Sequence, residues 1–174
     1  MKFRSVRFNS YFILLVAACL TACESTNPSG ANKAASDVAT LRIHLETHPD
    51  PILSRPIVVG RETPQTFSVT QAQLSEQNLV AARVLEGADE QFAIHLQFDR
   101  DGGRILEMLS MSYRGKRLAV GGQFPEPRWI GTFRMDRRIA DGTLLFRPDA
   151  TREEAGKMVQ RLNNTVAKLK KSKD

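Results

Sequence analysis

The chain has three histidines, His44, His48 and His95. His44 and His48 stand four residues apart, the spacing that sets two metal ligands on one face of a helix. Here Leu45 to Pro49 leaves an alternating segment and enters a proline-broken turn, so helical geometry is not expected. A metal site needs three or more ligands steadied by further hydrogen bonds, and no such set is spaced along this sequence. Neither a metal nor a cofactor is expected. Serines are frequent, but no G-x-S-x-G elbow occurs. Asp99, Asp101, Glu107 and Asp141 are carboxylates of the kind used in acid–base chemistry. They are read as helix caps and solvated turns, since sequence spacing alone does not bring two carboxylates to catalytic distance. Gly102-Gly103 and Gly121-Gly122 are too short to cradle a phosphate and read as a helix entry and a strand bend. Lys116-Arg117 and Arg134 to Arg138 are basic runs, but Asp136 interrupts the second and strand alternation divides it. Trp129, the single tryptophan, lies near Phe124 and Pro127 and reads as core packing, with a partner anchor as the alternative. Asn163-Asn164-Thr165 matches a glycosylation triplet inside an expected helix and is set aside. No catalytic residue is assigned, no enzyme is expected, and no particular residue is assigned to a partner.

Charge and cysteine usage narrow the classes further. The 174 residues carry 25 Lys+Arg against 19 Asp+Glu, a formal charge of +6. Lys2, Arg4 and Arg7 fall at the extreme N-terminus, where no acid lies; without residues 1–22 the charge is +3. The remaining basic residues are dispersed among acids, not clustered with aromatics as in nucleic-acid-binding domains, so nucleic acid is not expected as a partner. The two cysteines are Cys19 and Cys23.

Residues 2–10 hold the three positive charges, Tyr11 to Leu20 is apolar, and Leu20-Thr21-Ala22-Cys23 follows. This order of charged, apolar and small residues is that of a secretory signal. The apolar run of Tyr11 to Ala22 would make roughly 18 Å of helix, short of the ~30 Å of a bilayer core. The last four residues resemble a lipobox, the processing sequence of bacterial lipoproteins. The resemblance implies that residues 1–22 are removed as a signal peptide, that the Cys23 thiol takes diacylglycerol, and that its new amine is acylated, commonly by palmitate. Cys23 would then be the only mature cysteine, leaving no disulfide and no free thiol. Several acyl chains suffice to hold a protein on a membrane. Glu24 is not the aspartate that retains lipoproteins at the inner membrane. The same resemblance therefore places the protein on the periplasmic face of the outer membrane, if the envelope is Gram-negative. Residues 23–40, rich in Ser, Asn, Ala and Gly, read as the lipidated cysteine and a flexible tether.

The domain that positions the remaining residues is expected over 41–174. Leu41 to Glu46 alternates apolar and polar residues as a half-buried strand does. His48-Pro49-Asp50-Pro51 ends it. Ile57 to Gly60 and Thr66 to Val69 are short strands. Leu79 to Glu86 and Phe92 to Phe98 form a hairpin around Gly87-Ala88-Asp89-Glu90, with Phe92, Ile94, Leu96 and Phe98 on one face. A helix is expected from about Arg104 to Tyr113, capped by Asp99 or Asp101 and packing Ile105, Leu106 and Leu109. Strands follow at Leu118–Phe124, Trp129–Met135 and Thr143–Phe146. Thr151 and Glu154 have the spacing of a capping box and open a last helix with the stripe Ala155, Met158, Val159, Leu162, Val166 and Leu169. Lys168, Lys170, Lys171 and Lys173 gather at its end, where the helix dipole favours cations; this basic end is expected to fray. The pattern implies an α+β fold, a mostly antiparallel sheet with two main helices on one face.

From Phe92 onward the chain resembles the head subdomain of the first periplasmic domain of SecD, a membrane protein that assists Sec-dependent export. Phe92 to Asp99 resembles the strand leading into that family's first helix. Gly115-Lys116-Arg117-Leu118-Ala119-Val120 resembles its G-x-x-L-A-I strand entry. Asp141-Gly142-Thr143 to Phe146, followed by Ala150-Thr151-Arg152-Glu153-Glu154-Ala155, resembles its final strand and helix start. About 75 of the 174 residues are covered. Where the family has a D-G-x-V-x-S-x-P hairpin, this chain has Gly121-Gly122-Gln123-Phe124-Pro125-Glu126-Pro127-Arg128. The resemblance implies a fold and a capacity to touch extended polypeptide. It does not transfer energy coupling, which resides in the membrane part of SecD. Three functions follow: a lipid-anchored, non-enzymatic domain binding a protein or polypeptide; an accessory to export or envelope assembly; or an enzyme on an envelope polymer. The last requires a convergent polar site that the sequence does not display.

Overall fold

In the computed structural model, residues 38–88, 91–124 and 126–172 are described. The signal, Cys23 and most of the tether lie outside them, as do Asp89 and Glu90 of the hairpin turn. Among the described residues eight strands and two main helices follow in order: β1 (Thr40–Thr47), β2 (Arg55–Val59), β3 (Gln65–Ser75), β4 (Leu79–Glu86), β5 (Phe92–Phe98), α1 (Arg100–Ser112), β6 (Arg117–Gln123), β7 (Pro127–Arg134), β8 (Thr143–Phe146) and α2 (Arg152–Lys171). A one-turn 3-10 helix, Glu76–Asn78, joins β3 to β4.

The α+β, mostly antiparallel architecture stands as the sequence implied, but the strands divide between two sheets. One has the order β2-β3-β1-β6-β7 and the other β4-β5-β8. All pairings are antiparallel. Alternation identifies strands and short turns identify hairpins, but nothing in a strand's pattern says which non-neighbouring strand it will join. The closing of β8 onto β5, Leu96 opposite Leu144, is therefore a tertiary decision.

One hydrophobic cluster gathers residues of both sheets and both helices. Leu41, Ile43 and Leu45 enter it from β1, Ile94, Leu96 and Phe98 from β5, Leu106 and Leu109 from α1, and Ala155, Met158, Leu162 and Val166 from α2. Ile105 and Val159 pack on its margin. Burying each large aliphatic side chain contributes roughly 1.5–3 kcal/mol.

Several boundaries differ from those read in the sequence, and three of the differences have an evident physical cause. The helix α1 begins at Arg100, four residues before the expected start. Asp99 caps it, accepting from the Gly102 N–H at 2.8 Å. Gly102 lies inside the first turn because a Cβ there would stand 2.9 Å from Asn78 Cβ and 3.0 Å from Phe98 Cβ. Glycine weakens a helix by propensity, yet here close packing demands it. Strand β3 continues six residues past Val69. Its pairing with β1 slips twice, between Ile43 and His44 and between His44 and Glu46, and such bulges destroy the period-two signal. The tether ends sooner than expected, since Ala39 is buried and Thr40 opens β1. The Ala39 N–H donates to Thr165 Oγ1 at 3.0 Å, and the same hydroxyl lies 2.9 Å from the Ala39 carbonyl.

The last helix starts as expected. Thr151 accepts from the Glu154 N–H at 3.2 Å, and Glu154 accepts from the Thr151 N–H at 3.0 Å. It runs through the basic cluster to Lys171, with the Ser172 N–H closing on the Lys168 carbonyl; Lys173 lies outside the described residues. Asn163, set aside as a glycosylation triplet, serves the fold. Its side-chain oxygen accepts from the Ala82 N–H at 2.9 Å and its amide donates to the Ala82 carbonyl at 3.0 Å. The outer edge of β4 is thus paired by a side chain instead of a further strand, an answer to the exposed-edge problem.

Candidate functional site

Strand β1 sends Leu41, Ile43 and Leu45 into the main core and Arg42, His44 and Glu46 to the opposite face of its sheet. On that second face the sheet curls. Strands β2 and β7 are the two ends of its hydrogen-bonded order, yet they approach each other with no ladder between them. Ile57, Val59, Phe67, Val69 and Ala119 form a small separate cluster there, with Trp129 packed against it.

Between β2 and β7 lies an open cleft of about 450 Å³. Arg42 and His44 come to it from β1, Arg55 from β2, Gly121 and Gly122 from β6, and Arg128 and Trp129 from β7. Trp129 packs on the small cluster, in keeping with the core-packing reading, and also lines the cleft. The paired glycines make its position possible. A Cβ on Gly121 would meet the indole at 2.7 Å, and one on Gly122 would meet the Thr40 carbonyl oxygen at 2.0 Å. The strand-bend reading of this pair is therefore incomplete, since the glycines also admit a large ring against the sheet.

The arginines are not equivalent. Arg42 pairs with Glu76, whose carboxylate also accepts from the Leu41 N–H at 2.9 Å. Arg128 donates to the Asp149 carbonyl at 2.7 Å and lies 3.7 Å from Glu154. Arg55 makes no ion pair among the described residues, and its guanidinium stands 5.4 Å from the Trp129 ring centre. A cation over an indole face is an attractive arrangement that leaves the donors free for a ligand.

His44 meets the Trp129 ring edge-on at 5.1 Å. Its Nδ1 lies 2.8 Å from the Thr70 carbonyl; a carbonyl can only accept, so Nδ1 carries the proton. Burial pushes the imidazole below its usual pKa, outweighing the opposing hydrogen bond to Thr70, and the positive charges of Arg55 and Arg42 push the same way. The ring is neutral at neutral pH and acts as a packed wall. His48 is exposed and His95 lies on β5, so the three histidines do not converge. Among the described residues no three His, Cys, Asp or Glu side chains gather to hold a metal.

The other residues singled out in the sequence disperse. Asp99 caps α1, Asp141 accepts from the Thr143 N–H at 3.1 Å, and Glu107 pairs with Arg138. Asp101 lies 3.6 Å from Arg104. Arg134 pairs with Asp136 at 3.0 Å, which divides the basic run as the interrupting aspartate implied. Arg117 turns inward to Glu46, giving three bonds of 2.9–3.1 Å from its backbone and guanidinium, and stacks 4.5 Å over Phe67. Those bonds hold the Glu46 carboxyl below its usual pKa. The residues that sequence reasoning missed are Arg42, Arg55 and Arg128. The polar alternation of β1 marked the face of Arg42, but no local pattern marks the other two.

No protein-family model matches the chain, and no curated protein matches it. Solved structures do. A structure of SecDF, described as a membrane component that enhances protein export, aligns at 15% identity and a TM-score of 0.56, covering 80% of this chain and 70% of that one. SecDF in a super-membrane-facing form aligns at the same identity and TM-score, covering 77% of this chain and 20% of that one. The chain thus spans about a fifth of that second SecDF molecule. At this identity the likeness establishes a shared fold. Its coverage reaches beyond the 75 residues whose motifs carried the resemblance, taking in upstream strands that the sequence matched less clearly.

Proposed function

We propose that this chain is a lipid-anchored envelope protein whose domain binds an extended polypeptide in the cleft between β2 and β7, without catalysing a reaction. The observation that carries the binding reading is Arg55 lying free beside Trp129 in an open cleft bordered by two unjoined sheet ends. An extended chain can pair with a sheet edge through its backbone while side-chain pockets choose its sequence. Trp and Arg are residue types that commonly anchor such contacts. Pro56 removes one backbone donor from β2, which limits how long a ladder could form there. The cationic residues favour segments bearing carboxylates.

A photo-crosslinking residue in place of Gln123, an exposed residue lining the cleft, used in living cells, tests the binding. A specific polypeptide adduct is expected from position 123 and none from Met111 on the exposed side of α1. Equal labelling from both positions, or none from either, would refute cleft binding. Trp129, the only tryptophan, supplies a second readout through its emission when a reduced, carboxymethylated protein is added.

A second reading, an accessory role in export or envelope assembly, draws on the fold shared with SecDF, which enhances protein export. The two differ in ligand: one recurrent partner at position 123 supports the first, and many unfolded chains support the second. Anchoring rests on the Leu20 to Cys23 lipobox and the short apolar run before it. On this reading the domain lies at the periplasmic face of the outer membrane in a Gram-negative envelope. No helix among the described residues is long and apolar enough to cross a membrane. Cys23→Ser is expected to accumulate as an unlipidated precursor that keeps its signal. Mass spectrometry of wild type from membranes should find acyl chains on Cys23; a bare thiol there would refute anchoring.

A further inference from the structure

The turn between β1 and β2 displays the two most exposed large apolar side chains of the described fold, Ile52 at 90% and Leu53 at 73%. They are held there by a scaffold. The Asp50 carboxylate accepts from the N–H groups of Ile52 and Leu53 at 2.8 and 2.7 Å. The Asp50 N–H donates to Ser54 Oγ at 2.7 Å, and the Ser54 hydroxyl returns a bond to the Asp50 carbonyl at 2.9 Å. Pro49 and Pro51, both exposed, flank Asp50 and fix their own φ angles. A turn so braced keeps its apolar pair in water, where it loses the hydrophobic contribution that burial would give. Paired apolar side chains on a rigid projection call for an apolar medium or partner.

Charge around the turn selects the medium. Arg55 follows Ser54 directly and makes no ion pair among the described residues. Lys116, also without an ion pair among the described residues, lines a groove with His48 to Pro51 on the turn's other flank. Glu46 is paired with Arg117. Asp50 stays ionised, because the N–H groups of Ile52 and Leu53 hold its carboxyl below the usual pKa without cancelling its charge. Two positive charges, Arg55 and Lys116, thus stand against one negative charge, and the balance beside the apolar pair is positive, as suits a surface of lipid phosphates.

We propose that Ile52 and Leu53 insert into the outer layer of an anionic bilayer, with Arg55 and Lys116 against its phosphates, so that the domain rests on the membrane in one orientation. This rests on the lipid-anchor reading above. Val38 follows Cys23 by 15 residues, and a coil of that length would span about 20 Å. The domain would then meet the surface often enough for a weak second contact to matter, because two membrane signals hold where one is marginal.

The test uses the full chain, purified from membranes, with Ile52→Cys as the one labelling site apart from Cys23. An environment-sensitive fluorophore at position 52 is read in vesicles of phosphatidylcholine with phosphatidylglycerol and in vesicles of phosphatidylcholine alone. A blue shift with a several-fold gain in emission, quenched by spin-labelled lipid and weaker without phosphatidylglycerol, is expected. The same label at Met111→Cys should stay water-like. A water-like label at position 52 in both vesicles overturns the proposal. A blue shift that spin-labelled lipid does not quench also overturns it and points to a second copy of the chain. Mass spectrometry of the same sample separates the two failures: acylated Cys23 with a water-like label defeats insertion alone, and a bare Cys23 with a water-like label defeats the anchor and insertion together.

Discussion

The two faces of the five-stranded sheet are built from the same strands but closed to different degrees. On one face Leu41, Ile43, Leu118, Val120 and Ile130 are at most 1% exposed and join the core shared with the helices and the smaller sheet. On the other, five buried residues and Trp129 form a patch surrounded by Arg42, His44, Glu46, Arg55 and Arg117. Strands β1 and β6 serve both faces, so the first face can supply the rigidity that the second needs in order to hold a cleft open. Stability should therefore depend mainly on one face and ligand recognition on the other.

Substitutions can break that division, and their expected effects descend from the closed core to the open face. Leu162→Ala removes a side chain only 1% exposed from the main core and should destabilise by about 2–5 kcal/mol. Chemical denaturation would measure it. A loss below 1 kcal/mol would mean that α2 is not essential to this core.

Glu46→Gln weakens the charged contacts with Arg117 on the second face and should destabilise by ~1.5 kcal/mol at neutral pH. The Glu46 pKa is lowered in the fold. Its contribution is therefore complete above the ordinary carboxylate pKa and drains away as pH falls through the depressed value. Melts of wild type and variant should converge in strong acid; a gap independent of pH would assign the effect to packing instead.

Thr151→Ala deletes the cap of α2 and should destabilise by ~1 kcal/mol, seen as a lower denaturation midpoint with unchanged slope. Arg55→Ala, like Lys170→Ala and Lys171→Ala, should alter stability by less than about 0.5 kcal/mol. Among these only Arg55→Ala should also suppress the Trp129 response to unfolded polypeptide. If Arg55→Ala destabilised as much as Leu162→Ala, the open face would be structural and the proposed division would fail.

The local sequence was most informative where one short segment settles the matter. Thr151 and Glu154 cap α2 because the reciprocal bonds span three residues and need no distant partner. Phe92 to Phe98 reads as a strand because its alternation meets a buried face without interruption. The α1 start and the end of β3 were hidden for opposite reasons. Gly102-Gly103 reads as a helix entry, yet Gly102 lies inside the first turn, where it supplies clearance against Asn78 and Phe98, and the bulged half of β3 breaks its alternation in pairing with β1. In the cleft, His44 and Trp129 could be named from sequence, but their contact could not.

By itself, then, the sequence determined the α+β class, the main hairpin, the capped last helix and the absence of a nucleophile elbow, because each is written in residues close along the chain. Only the tertiary structure decided that the strands form two sheets, that one sheet curls, and that Arg42, Arg55, Arg128 and Trp129 share a cleft. Residues from β1, β2 and β7 meet there because strand pairing and close glycine packing bring them together, and those long-range choices leave no periodic trace in any one segment.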